Sequence, residues 1–365
     1  MEAFHENGIA VCEQIAQKEK SLSCCNQLGK WEWKQIHVGT NTIYKLANTD
    51  GRKYIFKVYN PCSNLDHELE LAVIEALAKS KQHPVVIYAC NRFRVEEYIE
   101  SPALDIYHLR TDSVLLSVVK LISAFHNNME LNSEIIPLLT DKRPFIRKIY
   151  ESWLGDFKRS YEHIKSIIGN GKHKKLIDDL ACLFREDFQK LFISLFPKDG
   201  ELVLSHNDIS PANLLYSQCG GSIQELYLID FEYAALNYRG YDLAVLIEDI
   251  ITDYNHPDYP TFKMHNELKL SEEQENQIII HYIRCSSIKP FGSEIKILAK
   301  KLKEEVKVCK IIFQLAGVLW GITTHDWNST YNENDCWRME YAQQRWEKFT
   351  EHMYKNFGIA LPLSS

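Results

Sequence analysis

The sequence has no excess of basic charge, no Cys-x-x-Cys pair, no apolar run of membrane-spanning length and no internal repeat. Each absence removes a class of function. Lys and Arg number 42 against 49 Asp and Glu, a formal charge of −7. A nucleic-acid partner needs clustered Lys and Arg to neutralise phosphate, so none is expected, and neither is a polybasic membrane anchor. Ten cysteines are scattered without zinc-ribbon or thioredoxin-like spacing and read as reduced thiols, mostly small core fillers. Met1-Glu2-Ala3-Phe4-His5-Glu6 carries acids where a secretory leader has basic residues before an apolar core. Glu2 excludes N-myristoylation, and Leu361-Pro362-Leu363-Ser364-Ser365 holds no prenylation cysteine. The longest apolar stretch, Ile311 to Ile322, is short for a membrane span and contains Gln314. A cytoplasmic protein without stable membrane insertion is therefore expected.

What is present is ordinary globular material: 365 residues, 45% hydrophobic and 25% charged, enough for two domains or one large one. The first hundred residues read mainly as strands. Trp31 to Val38, Ile43 to Leu46 and Tyr54 to Tyr59 carry strand patterns, with Asp50-Gly51 as a hairpin turn. In the third run Tyr54, Phe56 and Val58 fall on one face, and Ile55, Lys57 and Tyr59 on the other. A helix follows from about Asp66 to Lys81, with Leu69, Ala72, Val73, Ala76 and Leu77 at helical spacing. Val85 to Cys90 and Phe93 to Ile99 are two more strands. From Leu104 the patterns turn helical: Val114 to Met129, Phe145 to Ile168, Leu176 to Leu195, Glu272 to Arg284 and Ser293 to Gly317. A short β island interrupts them, with Leu202-Val203-Leu204 and Leu226-Tyr227-Leu228-Ile229 as its two strands. This order predicts an α+β, bilobal, protein-kinase-like fold. A small five-stranded β lobe with one helix occupies residues 1–100, and a large, mainly helical lobe occupies 101–365.

Two loops carry most of the chemistry. The first, His206-Asn207-Asp208-Ile209-Ser210-Pro211-Ala212-Asn213, follows an apolar strand, and Asp208 and Asn213 stand five residues apart. That is the spacing of a catalytic Asp and a metal-binding Asn in kinase catalytic loops. A carboxylate accepts or orients the acceptor's hydroxyl proton, and an amide oxygen holds Mg²⁺ without adding negative charge. The second loop, Ile229-Asp230-Phe231-Glu232-Tyr233, also follows a strand and offers Asp230 as a Mg²⁺ carboxylate. Asp and Asn favour turns on their own, so either loop alone would say little. Upstream, Lys57 is the candidate phosphate-binding lysine, with Glu70 as its partner and Glu68 as the rival. Gly39-Thr40-Asn41 could cradle phosphate through backbone N–H groups, although no G-x-G-x-x-G is present. Glu97-Tyr98-Ile99 stands where a hinge would present backbone groups to adenine. ATP and Mg²⁺ are the cofactors these residues imply.

The stretch Ile229-Asp230-Phe231-Glu232-Tyr233 is followed by Asn237-Tyr238-Arg239-Gly240-Tyr241-Asp242-Leu243. With His206-Asn207-Asp208 in place of the His-Gly-Asp common in antibiotic kinases, it resembles the choline/ethanolamine kinases, within the wider aminoglycoside-phosphotransferase-like group. Leu319-Trp320-Gly321 and Met339-Glu340-Tyr341-Ala342-Gln343 resemble that family's C-terminal region, and the likeness runs from about Ile36 to about Phe349. A protein kinase fits worse, since Glu232 replaces the Gly of D-F-G and no A-P-E follows.

The resemblance implies an ATP-dependent kinase for the hydroxyl of choline or ethanolamine, at the first step of the phosphatidylcholine and phosphatidylethanolamine pathway. Mapped onto this sequence, it proposes Tyr254, Trp320 and Tyr341 as aromatic walls around the amine, with Asp249 as the acid and Glu248 able to substitute. One wall departs from the family. A pair of aromatics three residues apart is usual there, but Gly317 and Thr323 flank Trp320 at that spacing, leaving Trp327 or Trp337 to fill the gap. Asp242 opens the apolar run Leu243 to Ile247 and reads as a helix N-cap at least as readily as a catalytic carboxylate. Arg239 is expected to contact phosphate or acidic groups or, equally, to brace its loop, and His206 to support the catalytic loop. The basic stripe Lys296, Lys300, Lys303 and Lys307 reads as a solvated helical face. The alternatives are a kinase for an aminoglycoside or sugar and a non-catalytic kinase-like binding module. Against the latter, Asp208, Asn213 and Asp230 are all present. No oligomeric state is fixed by the sequence, and a homodimer remains open.

Overall fold

The computed structural model describes residues 31–361 except 39–40, 50, 61–64, 79–83, 140, 220–221, 259, 287–292, 328–330 and 333–335. Its contacts divide the chain into two units. One runs to Pro102 and takes in Tyr227–Glu232; the other holds Ala103–Leu226 and everything from Tyr233 onward.

The first unit is an antiparallel sheet with one helix. Its strands are β1 (Trp31–Val38), β2 (Thr42–Asn48), β3 (Lys53–Val58), β4 (Val86–Ala89) and β5 (Phe93–Glu97), ordered β1-β2-β3-β5-β4. The two-residue periodicity of β3 sends Tyr54 and Phe56 into a core with Leu46, Phe93 and Val95, against which Trp33 and Tyr44 pack. It turns the buried Lys57 to the opposite face. Helix α1 (His67–Ala78) starts where Asp66 Oδ1 accepts from Leu69 N at 3.0 Å. Its buried residues are Glu70, Val73, Ile74 and Leu77, one stripe at helical spacing. The expected apolar face omitted Glu70 and Ile74. The stripe is rotated from it because Lys57 and Arg94 compensate the buried Glu70 carboxylate.

The second unit is mainly helical. Six helices come first: α2 (Ile106–Leu109), α3 (Asp112–His126), α4 (Met129–Ile135), α5 (Phe145–Ile168), α6 (Lys174–Leu180) and α7 (Glu186–Leu195). The expected single helix from 176 to 195 is broken by a 3₁₀ turn at Ala181–Phe184. Strands β6 (Leu202–Ser205), β7 (Leu214–Cys219), β8 (Ser222–Leu228) and β9 (Ala235–Tyr238) follow. The two strands expected to form the island do not pair with each other: β6 pairs with β9 and β7 with β8. Strands β7 and β9, of six and four residues, carry too little pattern to be expected from the sequence. After α8 (Arg239–Asp249) and the short pair β10 (Thr252–Asp253) and β11 (Lys263–Met264) come α9 (Glu272–Cys285), α10 (Ser293–Thr323) and α11 (Trp337–Phe357). Helix α10 is the organising core element, packing on α11, α8, α5 and α9. Contrary to the expectation from the Ile311–Ile322 run, it is long and apolar enough by length and composition to cross a membrane, but 67% of its most apolar window is buried inside the protein.

Candidate functional site

In the first unit, Lys57 is the hub of a buried charge network. Its Nζ lies 3.0 Å from Glu70 Oε1, 2.6 Å from Asp230 Oδ1 and 2.9 Å from Glu232 Oε2. Glu70 is 1% exposed, whereas Glu68 faces solvent, so Glu70 is the acid that reaches Lys57. Burial disfavours the Lys57 ammonium, but Asp230 and Glu70 outweigh it and hold the pKa above the ordinary lysine value. Burial likewise works against the Glu70 carboxylate, yet Lys57 and Arg94 keep its pKa well below normal. Arg94, on β5 directly across the sheet from Lys57, lies 2.8 Å from Glu70 and bonds Glu96 at 3.0 Å. Asp230 adopts a left-handed backbone (φ 65°), which turns its carboxylate back onto the sheet. Asn41 donates to Glu232 (2.6 Å) and accepts from Asn60 N (3.0 Å). Gly39 and Thr40 lie outside the described residues. Ile99 sits just past β5, its carbonyl accepting from Ser101 N at 2.8 Å. Four carboxylates thus face two cations here. Burial, and then the Asp230 charge, pushes the Glu232 pKa upward.

In the second unit, the loop after β6 is held from below by one carboxylate. Asp242, fully buried, accepts from His206 N (2.8 Å), Asn207 N (2.7 Å) and His126 Nε2 (2.9 Å). His126 is itself held through Nδ1 by the Tyr282 hydroxyl at 2.8 Å. Burial raises the cost of the Asp242 charge, but the His126 hydrogen bond and charge leave its pKa below the usual carboxylate value. Asp242 lies inside α8, whose N-cap is Tyr238, so it is not the N-cap the sequence allowed. The anchored backbone passes through Asn207 with φ 68°, a conformation Gly adopts freely and Asn tolerates. Asn207 adds ties that Gly lacks, donating to Tyr233 O (2.8 Å) and accepting from Asn237 Nδ2 (2.7 Å). On this base stands the pair expected from the sequence: Asn213 Nδ2 donates to Asp208 Oδ2 at 2.8 Å and to Asp208 O at 3.0 Å. That orients the carboxylate and leaves the Asn213 amide oxygen as a donor for a hard cation. His206 Nδ1 accepts from Asp208 N at 3.2 Å, a bracing role. Arg239 pairs with Glu201 at 2.6 Å and braces its own loop.

The second unit also gathers the expected amine-binding residues. Tyr341 packs with Phe262 and Met264, and Tyr254, Trp320 and Trp337 pack against that cluster. The Tyr341 ring lies 5.6 Å from Trp320 and 6.5 Å from Tyr254. Trp337 stands 5.9 Å from Trp320, whereas Trp327 is buried against His325 and Tyr331, so Trp337 is the aromatic that joins the group. The buried Asp249 accepts from the Tyr254 hydroxyl (2.9 Å) and from Arg345 Nη2 (2.5 Å). Burial, then the Asp249 charge, raises the Tyr254 pKa and keeps its hydroxyl a donor. Glu248 is committed elsewhere, to Lys310 (3.0 Å) and Gln314 (2.8 Å).

Arg94, His126, Tyr282, Arg345 and the bracing role of Asp242 escaped the sequence reading. Lys57 and Arg94 are opposite one another only through the β3–β5 register, and His126 and Tyr282 reach Asp242 from α3 and α9. Nothing in local spacing announces such partners.

An antiparallel five-stranded sheet with one helix, joined to a mainly helical unit bearing an Asp–Asn loop, is the arrangement of the kinase-like fold. The choline kinase structure from Cryptosporidium parvum shares it, with a TM-score of 0.65 at 24% identity over 89% of each chain. The chain belongs to the choline/ethanolamine kinase family, whose profile matches residues 25–350. Among curated relatives, "Probable choline kinase 2" of Arabidopsis thaliana is 26% identical over 324 residues, 85% of this chain and 82% of that protein. "Choline/ethanolamine kinase" of Homo sapiens is 25% identical over 284 residues, covering 76% of this chain and 66% of the human protein.

Proposed function

We propose that the protein is a cytoplasmic, ATP- and Mg²⁺-dependent kinase that phosphorylates the hydroxyl of a small amino alcohol, choline or ethanolamine. The observation that carries this reading is the Asp208–Asn213 pair, fixed at 2.8 Å on a loop that Asp242 clamps. Family membership supplies the reaction class. In this reading the acceptor oxygen attacks the γ-phosphorus as the bond to the β-bridging oxygen breaks and ADP departs. The hydroxyl proton passes to Asp208. Lys57, held by Glu70, binds nucleotide phosphates, with Asn41 and the backbone near Ile99 completing the nucleotide contacts. Asn213 and Asp230 would hold Mg²⁺, which supplies neutralisation of phosphate charge when bound. An amide oxygen and a carboxylate suit that ion. Tyr254, Trp320, Tyr341 and Asp249 would hold the ammonium.

Catalysis in such a site is positioning plus charge neutralisation, so losing the base is far costlier than losing a binding contact. Asp208→Ala is expected to lower kcat by roughly a thousandfold or more, while ATP affinity, read by fluorescence titration, stays near that of the parent. Near-normal turnover in that variant would overturn the assignment.

A further inference from the structure

The aromatic group already holds a cation of the protein's own. Arg338, in the first turn of α11, lays its guanidinium 4.7 Å from the Trp337 ring centroid and 5.8 Å from that of Trp320. A ring face attracts a cation through its quadrupole, and a second cation brought to the same rings meets the charge of the first. Among the described residues no carboxylate pairs with Arg338, and its buried Nε has no hydrogen-bond partner. It stands at a helix N-terminus, where backbone N–H groups favour an anion. Burial lowers its pKa below the usual arginine value. One turn beyond Trp320, Thr323 turns its hydroxyl to Leu319 O at 2.8 Å and contributes no ring.

Choline and ethanolamine differ in what they ask of such a site. A trimethylammonium has no N–H and is recognised by ring faces and charge alone. A primary ammonium donates three N–H groups and is satisfied by oxygen acceptors, here the Asp249 carboxylate and the Tyr254 hydroxyl oxygen, which meet at 2.9 Å. We propose that Arg338 sets the choice of amine by occupying the Trp320 and Trp337 faces that a quaternary ammonium requires, so that ethanolamine is the preferred acceptor. The inference rests on the function proposed above and goes further by naming the residue that decides between the two substrates.

The test is kcat/KM for choline and for ethanolamine, measured with Mg²⁺-ATP on the full chain and on Arg338→Ala and Arg338→Gln. The parent is expected to favour ethanolamine. Both variants should shift the ratio toward choline by about tenfold, the size of one desolvated cation–π contact, mainly through a lower KM for choline. The glutamine variant retains most of the side-chain volume, so the result does not hang on the alanine variant folding. A parent that favours choline, or a ratio unmoved in both variants while an amine is still phosphorylated, overturns the role of Arg338 alone. Failure of the parent to phosphorylate either amine overturns the proposed function, and this inference with it.

Discussion

Asp242 takes three hydrogen bonds in a site with no water-facing surface, and two of them come from the backbone N–H groups that carry the catalytic loop. Removing the carboxylate strands those donors, and burial makes an unpaired donor costly. Asp242→Ala should therefore lose about 3–5 kcal/mol of stability. Asp242→Asn keeps the shape but offers one acceptor oxygen, and a displacement of about 1 Å in the Asp208 carboxylate is expected to lower kcat by roughly a hundredfold. Urea melts and turnover assays with unchanged ATP affinity check both. Unaltered kcat in the asparagine variant would remove Asp242 from the positioning of Asp208. At this scale the sequence was most legible where chemistry is local. Asp208 and Asn213 lie on one loop and their spacing betrays them. The ties that fix them come from His126 and Asn237, far along the chain, and only the fold brings those to the loop.

Among the elements, the approach of α10 to α11 matters most for the aromatic group, because Trp320 lies on one and Trp337, Arg338 and Tyr341 on the other. Gly321 permits the close contact: a Cβ there would stand 2.8 Å from Arg338 O and 3.1 Å from Ala342 Cβ. Backbone does not yield as a side-chain tip does, so Gly321→Ala must push the helices apart. It should cost about 1–3 kcal/mol and weaken amine binding while sparing ATP binding. A thermal melt and an amine titration read both, and an unchanged melting temperature would contradict the packing argument. Periodicity placed the start of α10 at Ser293 but ended it at Gly317, six residues before Thr323, so Trp320 and Gly321 fell outside the expected helix. It misjudged the β island, where strands of four to seven residues carry too little pattern to name their partners. The α1 stripe was misread for a related reason: pattern reading counts Glu70 as a surface residue, and only the pairing with Lys57 and Arg94 brings it inside.

For the whole molecule, buried charge shapes how stability depends on pH. Lys348 is 7% exposed, and burial, only partly offset by Glu248, brings its pKa down from the ordinary 10.5 to about 8. Below pH 8 the folded state carries the full cost of that ammonium. Between about 8 and 10.5 the unfolded chain holds a proton that the folded chain has released, so this residue's contribution to stability rises with pH. Lys348→Met should thus stabilise the protein most at pH 7, with the advantage shrinking by pH 10, as urea melts at the two pH values would show. A constant difference would contradict the depressed pKa. The gross architecture, a five-stranded sheet followed by helices, was legible from the order of patterns alone. The partition of the chain was less so: Tyr227–Glu232, with Asp230, belongs by its contacts to the unit of the sheet rather than to the helical sequence around it.

Transfer of phosphate from ATP to a small amino alcohol is read out as ADP release from Mg²⁺-ATP, with ethanolamine, choline and an aminoglycoside offered separately. ADP release is expected to depend on ethanolamine or choline, to match the phosphorylated amine mole for mole, and to be lost when Mg²⁺ is chelated. Release driven by the aminoglycoside alone, or no release with any acceptor despite measurable ATP binding, would overturn the assignment.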